Sequence, residues 1–237
     1  MIKIRIYANC KEAINEIKRN LYELSVEVWP HSMQNKIVKD DENFSTKELQ
    51  NESFTILDTT DKDQIVGTCL DWCKAEFEER ISEVPKNPGQ AYKKRAMVWL
   101  QFLNKEGKFC YTYSERIHKQ LNKVIEELKV NPDSRQAVID LHRPSDVERL
   151  GGKQRIPCSL EYVIQIRKST NKDPHGRVNL IYNMRSCDFY THFKNDIWLA
   201  CEMKDYVAKK LDLIPGALVM NIASLHMYKK DWEDNVY

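Results

Sequence analysis

The stretch that decides the fold of this chain is VNLIYNMRSCD, residues 178–188. Apolar and polar residues alternate over 178–184, which predicts a half-buried β-strand. The pattern then ends, and Arg185 and Ser186 follow at the end of the predicted strand. A guanidinium beside a hydroxyl suits the oxygens of a phosphate, because the guanidinium can donate in bidentate fashion. The stretch therefore predicts a strand that carries an anion-binding pair to one edge of a sheet.

Upstream of this stretch, the step Pro157-Cys158 supplies a thiol. Carbon 5 of a pyrimidine ring is a poor nucleophile until a thiolate adds at C6 and makes C5 electron-rich. A thiolate needs cationic neighbours, and Arg155, Arg185 or Arg143 are the available cations. Cys158 is therefore the candidate nucleophile, although an isolated cysteine after proline is more often a buried structural residue.

Downstream, Ser224-Leu225-His226-Met227-Tyr228 closes a predicted strand over 217–228. His226 and Tyr228 share one face of that strand, because side chains alternate along it. Two polar groups on one face suit a sugar hydroxyl, while a buried core histidine and tyrosine are the structural alternative. With Cys158 and the Arg185-Ser186 pair, these residues supply what is needed to hold a nucleoside monophosphate and attack its ring.

Two further arginines lie at predicted element ends. Arg135 follows a predicted helix, and Arg143 follows a predicted strand over 137–141. Together with Arg185 and Ser186 they form the candidate phosphate-binding set. Surface arginines paired with carboxylates are the alternative interpretation.

Composition limits the other possibilities. The chain has 237 residues, 42% of them hydrophobic, which fits one domain over 1–237. A net charge of +2 does not indicate DNA as a partner. Seven cysteines without a CxxC pair favour a reducing compartment over a zinc site or a disulfide framework. No apolar run approaches the roughly 20 residues that span a bilayer, so we expect a cytoplasmic protein without metal or membrane.

Predicted strands and helices follow one another in irregular order, which favours an α+β fold over a regular βαβ series. The predicted strands cover residues 2–7, 53–57, 137–141, 160–167, 178–184 and 217–228. The predicted helices cover residues 11–24, 64–81, 91–103, 115–129 and 196–211. We expect a polar loop over 36–47 and a hairpin-like loop over 171–176.

Four segments also resemble a known family when they are taken in order. They are Asn131-Pro132-Asp133-Ser134-Arg135, Pro157-Cys158, Arg185-Ser186-Cys187-Asp188 and Ser224-Leu225-His226-Met227-Tyr228. They resemble the phosphate, nucleophile, phosphate-and-base and ribose segments of the thymidylate synthase family. Within that family the deoxycytidylate hydroxymethylase branch is the most similar.

The resemblance implies a large, kinked mixed sheet flanked by helices. It also implies a homodimer that packs sheet to sheet, in which each active site borrows arginines from its partner. The implied reaction transfers a one-carbon unit from 5,10-methylenetetrahydrofolate to C5 of a pyrimidine nucleoside monophosphate through a Cys158–C6 adduct. Tyr111, which is expected to line the pocket beside Tyr113, and Asp188 join Cys158 as candidate catalytic residues.

The family reads the base with a residue eight places after the acid of its Arg-Ser-x-Asp motif. Counted from Asp188, that position is Asp196, whose carboxylate can accept from the 4-amino group of cytosine and would repel O4 of uracil. A shift of one residue would place Asn195 there and favour uridylate. The resemblance therefore implies conversion of dCMP to 5-hydroxymethyl-dCMP, in a viral setting.

Departures from the family pattern keep two alternatives open. Cys69 stands where the family has a glutamate, so Asp71, two residues on, or Glu76 would have to replace it. Gln136 stands where the family has a second arginine. The family's longer C-terminal tail, which closes over folate, is not seen after Tyr237, which favours the hydroxymethylase branch or a protein that no longer needs folate. The alternatives are a thymidylate synthase acting on dUMP and a catalytically altered member that only binds nucleotide.

Overall fold

The structure is a computed structural model that describes residues 5–168 and 176–233. The start of the strand predicted over 2–7 and most of the loop predicted over 171–176 lie outside these ranges. No helix within them is both long and apolar enough to cross a membrane. The single domain over 1–237 stays a prediction.

Eight strands of the described residues form one mixed sheet, and two more form a separate hairpin. The strands are β1 (Arg5–Asn9), β2 (Val26–Val28), β3 (Ser32–Met33), β4 (Lys36–Ile37), β5 (Thr46–Asp58), β6 (Val138–Asp140), β7 (Ser159–Arg167), β8 (Arg177–Met184), β9 (Cys187–Asp188) and β10 (Ile214–Tyr228).

The sheet order is β1-β5-β10-β8-β7-β6, with β2 beside β5 and β9 beside β10. β1 is parallel to β5, and β8 and β9 are parallel to β10. The remaining pairs in this sheet are antiparallel. A mixed sheet flanked by helices confirms the predicted α+β class.

Along the chain, most of the helices lie between two strands. They are α1 (Cys10–Glu23), α2 (Lys62–Val66), α3 (Leu70–Arg80), α4 (Ala96–Trp99), α5 (Tyr113–Ile117), α6 (Gln120–Val130), α7 (Lys194–Leu211) and α8 (Lys229–Glu233). A π-helical turn over Phe189–Phe193 leads into α7.

One face of the sheet is covered by helices. Phe54, Tyr182 and Met220 are buried there, on the alternating positions of β5, β8 and β10. α1 and α7 pack against these strands because each presents apolar residues at helical spacing, such as Ile14, Ile17 and Leu21 of α1. Apolar residues repeat with period two in the strands and period 3.6 in the helices, and together they form one core.

The opposite face of the sheet is only half-buried, and it carries a polar ladder. Ser53 donates to Asn221 Oδ1, Asn221 Nδ2 donates to Asn183 Oδ1, and Asn183 Nδ2 donates to Glu161 Oε1, each over 2.8 Å. These contacts link β5, β10, β8 and β7 side by side. All four side chains of this ladder remain partly accessible, so no element of the described residues covers it completely.

Three sequence predictions differ from the structure for local reasons. The helix predicted over 64–81 is divided into α2 and α3 at Gly67, which has φ 52°. The helix predicted over 115–129 is divided into α5 and α6 at Lys119, which has φ 59°. The polar loop predicted over 36–47 contains β4 and the start of β5. Backbone pairing of β4 with β3, and of β5 with β2 and β10, outweighs the polar composition of this segment.

The register of three strands brings the key segments to one sheet edge. Ser159, which begins β7, lies opposite Met184, which ends β8. Ile222 of β10 also pairs with Met184. The Arg185 amide then donates to the Cys158 carbonyl over 2.9 Å. The residues just before β7, just after β8 and at the end of β10 therefore meet.

A buried carboxylate fixes the loop that carries Arg143. Asp146 is fully buried and accepts from Arg116, Arg149 and the Arg143 amide. Burial alone would raise the pKa of Asp146, but the hydrogen bonds from Arg116 and the Arg143 amide outweigh it and lower that pKa.

We expect Asp146→Ala to lower the free energy of unfolding by about 3–5 kcal/mol, because it leaves the buried Arg116 without its partner. Urea denaturation at neutral pH measures this loss. Asp133→Ala, at an exposed loop position, serves as the control and should change little. A loss below about 1 kcal/mol for Asp146→Ala would contradict the assigned role.

Candidate active site

A cleft of about 560 Å³ opens at the sheet edge where these segments meet. Most of the residues predicted for the site line it. They are Cys158, Tyr111, Asp188, Arg185, Ser186, Asp196, His226 and Tyr228. The fold thus brings together residues that are up to 117 positions apart in the sequence (Tyr111 to Tyr228).

The thiol of Cys158 is half-buried and surrounded by hydrogen-bond donors. Ser186 Oγ lies 3.6 Å from Sγ, and Arg185 Nη2 and Gln34 Nε2 each lie 3.7 Å from it. Donors and a cation beside sulfur stabilise a thiolate relative to a thiol. The arrangement is therefore suited to a nucleophilic cysteine.

Arg185 also organises the loop before Cys158. Its guanidinium donates to the carbonyls of Pro157 and Ile156 over 2.9 and 3.0 Å, and to Ser186 Oγ over 3.1 Å. Among the described residues, no carboxylate lies within ion-pairing distance of Arg185. Its positive charge is therefore available to an anionic ligand in the cleft.

The structure separates the two candidate base-reading residues. Asp196 lines the cleft, half-buried, and its Oδ2 accepts from Cys187 Sγ over 3.4 Å. Asn195 is buried away from the cleft, where it accepts from Cys73 Sγ and donates to the Thr191 carbonyl. One residue step turns a helical side chain by about 100°, so only one of the two can face the ligand.

Burial raises the pKa of Asp196 to about 6, although Arg80 nearby acts in the opposite direction. Arg80 lies at the floor of the cleft with 3% of its surface exposed. It donates to Glu76 Oε1 over 2.9 Å and to the Tyr162 hydroxyl over 3.3 Å. Its guanidinium also lies over the ring of Tyr113, 4.4 Å from the centroid. Arg80 and Glu76 therefore form an ion pair at the floor of the cleft, beside Asp196.

Tyr113 rather than Tyr111 contacts the backbone next to the nucleophile. Its hydroxyl accepts from the Ser159 amide over 3.3 Å and from Ser159 Oγ over 3.0 Å. The Tyr111 hydroxyl instead accepts from Arg155 over 3.3 Å. Both tyrosines line the cleft, and burial raises the pKa of each above its usual value.

The predicted ribose pair lies at the end of β10. Nδ1 of His226 lies 3.3 Å from the Ser224 carbonyl, and burial lowers the pKa of the ring, which favours neutral imidazole. The Tyr228 hydroxyl donates to Met33 Sδ over 2.6 Å. Ser224 Oγ in turn donates to Glu48 over 2.5 Å. His226 and Tyr228 face the same cleft, as the strand alternation predicts.

An arginine is held in an aromatic wall of the cleft. The Arg155 guanidinium lies 4.7, 4.9 and 5.0 Å from the ring centroids of Trp99, Phe102 and Tyr111. Trp99 Nε1 is buried in this wall and has no hydrogen-bond partner among the described residues. Flat aromatic surfaces and a planar cation together suit a planar heterocyclic ligand.

Asp188 has a structural contact that the sequence did not predict. Its Oδ1 accepts from the amides of Tyr190 and Thr191 over 3.0 and 3.1 Å and so caps the π-helical turn. His192 of that turn also lines the cleft, and burial lowers its pKa to about 4. A π-helical turn inserted before a helix is frequent at functional sites.

Besides Asn195, three predicted site residues lie outside the cleft of their own chain. Asp71 is exposed on α3, because the break at Gly67 fixes the helical phase so that Glu76 faces the cleft instead. Arg135 and Arg143 are exposed at other loops, and Arg143 donates to the Glu115 carbonyl over 3.3 Å. Asp71, Arg135 and Arg143 therefore do not line the cleft of this chain, and their predicted roles stay predictions.

Comparison with known proteins identifies the family. The thymidylate synthase family model matches residues 33–236.

The chain belongs to the thymidylate synthase family.

Relatives within the family differ in activity. A deoxycytidylate 5-hydroxymethyltransferase of Enterobacteria phage T4 is 28% identical over 190 residues, which cover 71% of this chain and 68% of the relative. A provisional thymidylate synthase of Methanosarcina barkeri is 28% identical over 131 residues, 53% of this chain and 56% of the relative. This chain thus spans little more than half of the archaeal relatives that it matches.

The fold agrees with a solved member of the family. The crystal structure of thymidylate synthase from T4 phage matches with a TM-score of 0.67 at 17% identity, over 95% of this chain and 79% of that chain. The agreement concerns the fold, because the identity is low.

We expect the Asp196 carboxyl to make stability depend on pH. An acid with a raised pKa in the folded state binds its proton more tightly there than in the unfolded state. The free energy of unfolding of the wild type should therefore fall, relative to Asp196→Asn, as the pH rises from about 4 to about 6. The relative change is at most about 3 kcal/mol, at about 1.4 kcal/mol for each pKa unit.

Thermal or urea unfolding at several pH values measures this difference. Asp71→Asn, at the exposed position on α3, is the matched control and should give a curve parallel to that of the wild type. Parallel curves for Asp196→Asn as well would show that its carboxyl is not desolvated in the cleft.

Proposed function

We propose that this protein transfers a one-carbon unit from 5,10-methylenetetrahydrofolate to C5 of a pyrimidine nucleoside monophosphate. The proposed reaction converts dCMP to 5-hydroxymethyl-dCMP. Family membership supports the reaction class, and the phage hydroxymethyltransferase is a relative that acts on deoxycytidylate. The observation that carries the choice of base is the carboxyl of Asp196, which faces the cleft while Asn195 does not.

The proposed chemistry begins at Cys158. Its thiolate forms a bond to C6, and the electron pair of the C5–C6 double bond makes C5 nucleophilic. The co-substrate supplies a methylene group at the oxidation level of formaldehyde. C5 bonds to that carbon and loses its proton to a base, and the bond from the carbon to the folate nitrogen breaks, so that tetrahydrofolate leaves with a proton on that nitrogen. Water then adds to the resulting methylene group and provides the hydroxyl, and the thiolate leaves as the C5–C6 double bond re-forms. Arg185, Ser186 and Gln34 stabilise the sulfur before addition and after release.

Asp196 discriminates between bases through its two oxygens. Cytosine presents an amino group beside a basic ring nitrogen, so one oxygen accepts from the amino group and a proton is shared between the other and N3. Because the pKa of Asp196 is raised to about 6, that proton is available near neutral pH. Uracil presents O4 in place of the amino group, and its lone pairs repel the ionised carboxylate.

The aromatic wall is the proposed site for the folate ring. Trp99, Phe102 and Tyr111 offer flat surfaces, and the buried, unpartnered Trp99 Nε1 offers a donor. The Arg155 guanidinium can stack on the ring from the same side. These residues fit a planar pterin by their chemistry.

Glu76 is the proposed replacement for the glutamate that the family has at the position of Cys69. It lines the cleft and is paired with Arg80 next to Asp196. The pair holds a carboxylate at the floor of the cleft, where it can order water for proton transfer.

The phosphate site is completed in the proposed homodimer. Arg185 and Ser186 lie in the cleft, whereas Arg135 and Arg143 are exposed elsewhere on the chain. The half-buried face of the sheet, with apolar side chains such as Ile181 and Val219 around the polar ladder, supplies the surface for sheet-to-sheet packing.

Release of tritium from C5-labelled nucleotides tests the proposed reaction. With methylenetetrahydrofolate present, the wild type should release tritium from dCMP at least about tenfold faster than from dUMP. A tenfold ratio corresponds to a difference of about 1.4 kcal/mol in transition-state binding, which the loss of one contact with the base can supply. Asp196→Asn should reverse or abolish this preference. Faster release from dUMP by the wild type would favour a thymidylate synthase, and binding without release would favour an altered, non-catalytic member.

Cys158→Ala should keep nucleotide binding and lose detectable tritium release, because the covalent route disappears while the phosphate and base contacts remain. Calorimetry and the release assay measure the two properties separately. Cys110→Ala, which changes another half-buried thiol, is the control and should retain release. Undiminished release by Cys158→Ala would remove Cys158 from its proposed role.

Light scattering coupled to gel filtration tests the homodimer. A chain of 28.0 kDa should elute with about twice that mass. The double change Ile181→Arg and Val219→Arg should shift it toward the monomer by placing charges at the sheet face, whereas Lys123→Glu on α6 should not. A wild-type monomer at micromolar concentration would contradict the shared site.

A further inference from the structure

A short hairpin ends beside the candidate nucleophile. β3 and β4 are joined by Gln34 and Asn35, and Gln34 Nε2 lies 3.7 Å from Cys158 Sγ. No pattern in the sequence points to Gln34, because two-residue strands have no detectable periodicity. The amide is nevertheless one of three donors around the sulfur.

The backbone at Gln34 is unusual for a glutamine. Its φ is 53°, a region that favours glycine or asparagine. Turns between two short antiparallel strands commonly place glycine at such a position. A side chain kept at a strained backbone position next to a reactive group indicates that the side chain itself has a role.

The hairpin is held against the cleft from two sides. On one side, the Tyr228 hydroxyl donates to Met33 Sδ. On the other, Gly152 packs so closely that a Cβ there would lie 2.9 Å from the Lys36 carbonyl oxygen and from Ile37 Cδ1. The position of Gln34 over Cys158 is thus defined by contacts at both strands of the hairpin.

The other half of the Gln34 amide has no partner. Oε1 is buried in the ligand-free chain and accepts no hydrogen bond from the described residues. A buried carbonyl oxygen without a donor costs free energy, and a ligand N–H or O–H at this point would recover it. Because Gln34 lines the cleft, a small rotation of its amide would present this oxygen to a bound nucleotide, which is the ligand in position to supply that donor.

We propose that Gln34 is a positioning residue with two roles, which rest on the proposed function of Cys158. Its N–H group stabilises the Cys158 thiolate together with Arg185 and Ser186. Its carbonyl oxygen accepts a hydrogen bond from an N–H or O–H group of the bound nucleoside monophosphate. One side chain thereby couples nucleotide binding to the state of the nucleophile.

Alkylation by iodoacetamide tests the first role without any nucleotide. In Gln34→Met, which removes both polar atoms at similar length, Cys158 should react roughly threefold to tenfold more slowly at pH 7, as expected for the net loss of one typical hydrogen bond. Peptide mass spectrometry is needed, because Cys69 and Cys110 are also half-buried and free.

Two further variants separate the side chain from the hairpin. Asn35→Ala changes the exposed neighbour in the same turn and should leave the rate unchanged. Gln34→Gly removes the side chain and suits the positive φ. Its Cys158 should therefore also react slowly, even though the turn is less strained. This variant replaces Gln34→Met if Gln34→Met fails to fold. Equal or faster alkylation in the folded Gln34 variant would overturn the proposal, the faster rate indicating that Gln34 only shields the thiol.

Calorimetry with dCMP tests the second role. The dissociation constant should rise roughly threefold to tenfold in Gln34→Met and stay unchanged in Asn35→Ala. An unchanged constant in Gln34→Met would overturn the contact with nucleotide. If the wild type binds no dCMP, the proposed function and the nucleotide contact both fail, while the alkylation rates still decide whether Gln34 stabilises the thiolate.

Discussion

The site depends on one backbone constraint, the antiparallel register that sets the start of β7 against the end of β8. The Arg185 amide donates to the Cys158 carbonyl at this point, and the Arg185 guanidinium donates to the two preceding carbonyls. A slip of one residue would turn every side chain of β7 to the other face of the sheet. The thiol would then lose Arg185 and Ser186 together, so strand pairing and nucleophile environment are one constraint.

Burial shifts the pKa of several side chains in the cleft. It raises the pKa of Asp196 and lowers those of His226 and His192, so all three are shifted toward their neutral forms. Arg80 keeps its charge because Glu76 compensates it at the floor. Arg185 has no such partner among the described residues. The cleft therefore offers hydrogen-bonding groups where a base and a sugar would lie, and an uncompensated cation where a phosphate would lie.

The sequence predicted the elements that have strong patterns, and with them the residues at the ends of those elements. Cys158, Arg185 and His226 were found because alternation identifies the strands that carry them. Asp71 lies outside the cleft because helical phase depends on where a helix breaks, and Gly67 divides the predicted helix at a point that periodicity does not reveal. The sequence alone could not decide whether Asp196 or Asn195 faces the cleft, since the π-helical turn before α7 changes the phase of the helix.

Other contributors to the site had no signal of their own in the sequence. Gln34 is carried by strands of two residues, and Arg80 resembles any surface arginine of a charged helix until Glu76 and Tyr162 are seen around it. Long-range packing determines which polar residues of such segments are buried. The sequence therefore predicted the reactive and charged residues of the candidate site better than the other residues that line the cleft.

The most direct test of the account is a covalent trap at the nucleophile. A fluorine at C5 cannot leave as a proton does, so addition of the thiolate to 5-fluoro-dCMP in the presence of methylenetetrahydrofolate should stop at a stable adduct. Mass spectrometry of the digested protein should find that adduct on the peptide that contains Cys158. The absence of any adduct, or its attachment to a different cysteine, would contradict the central claim.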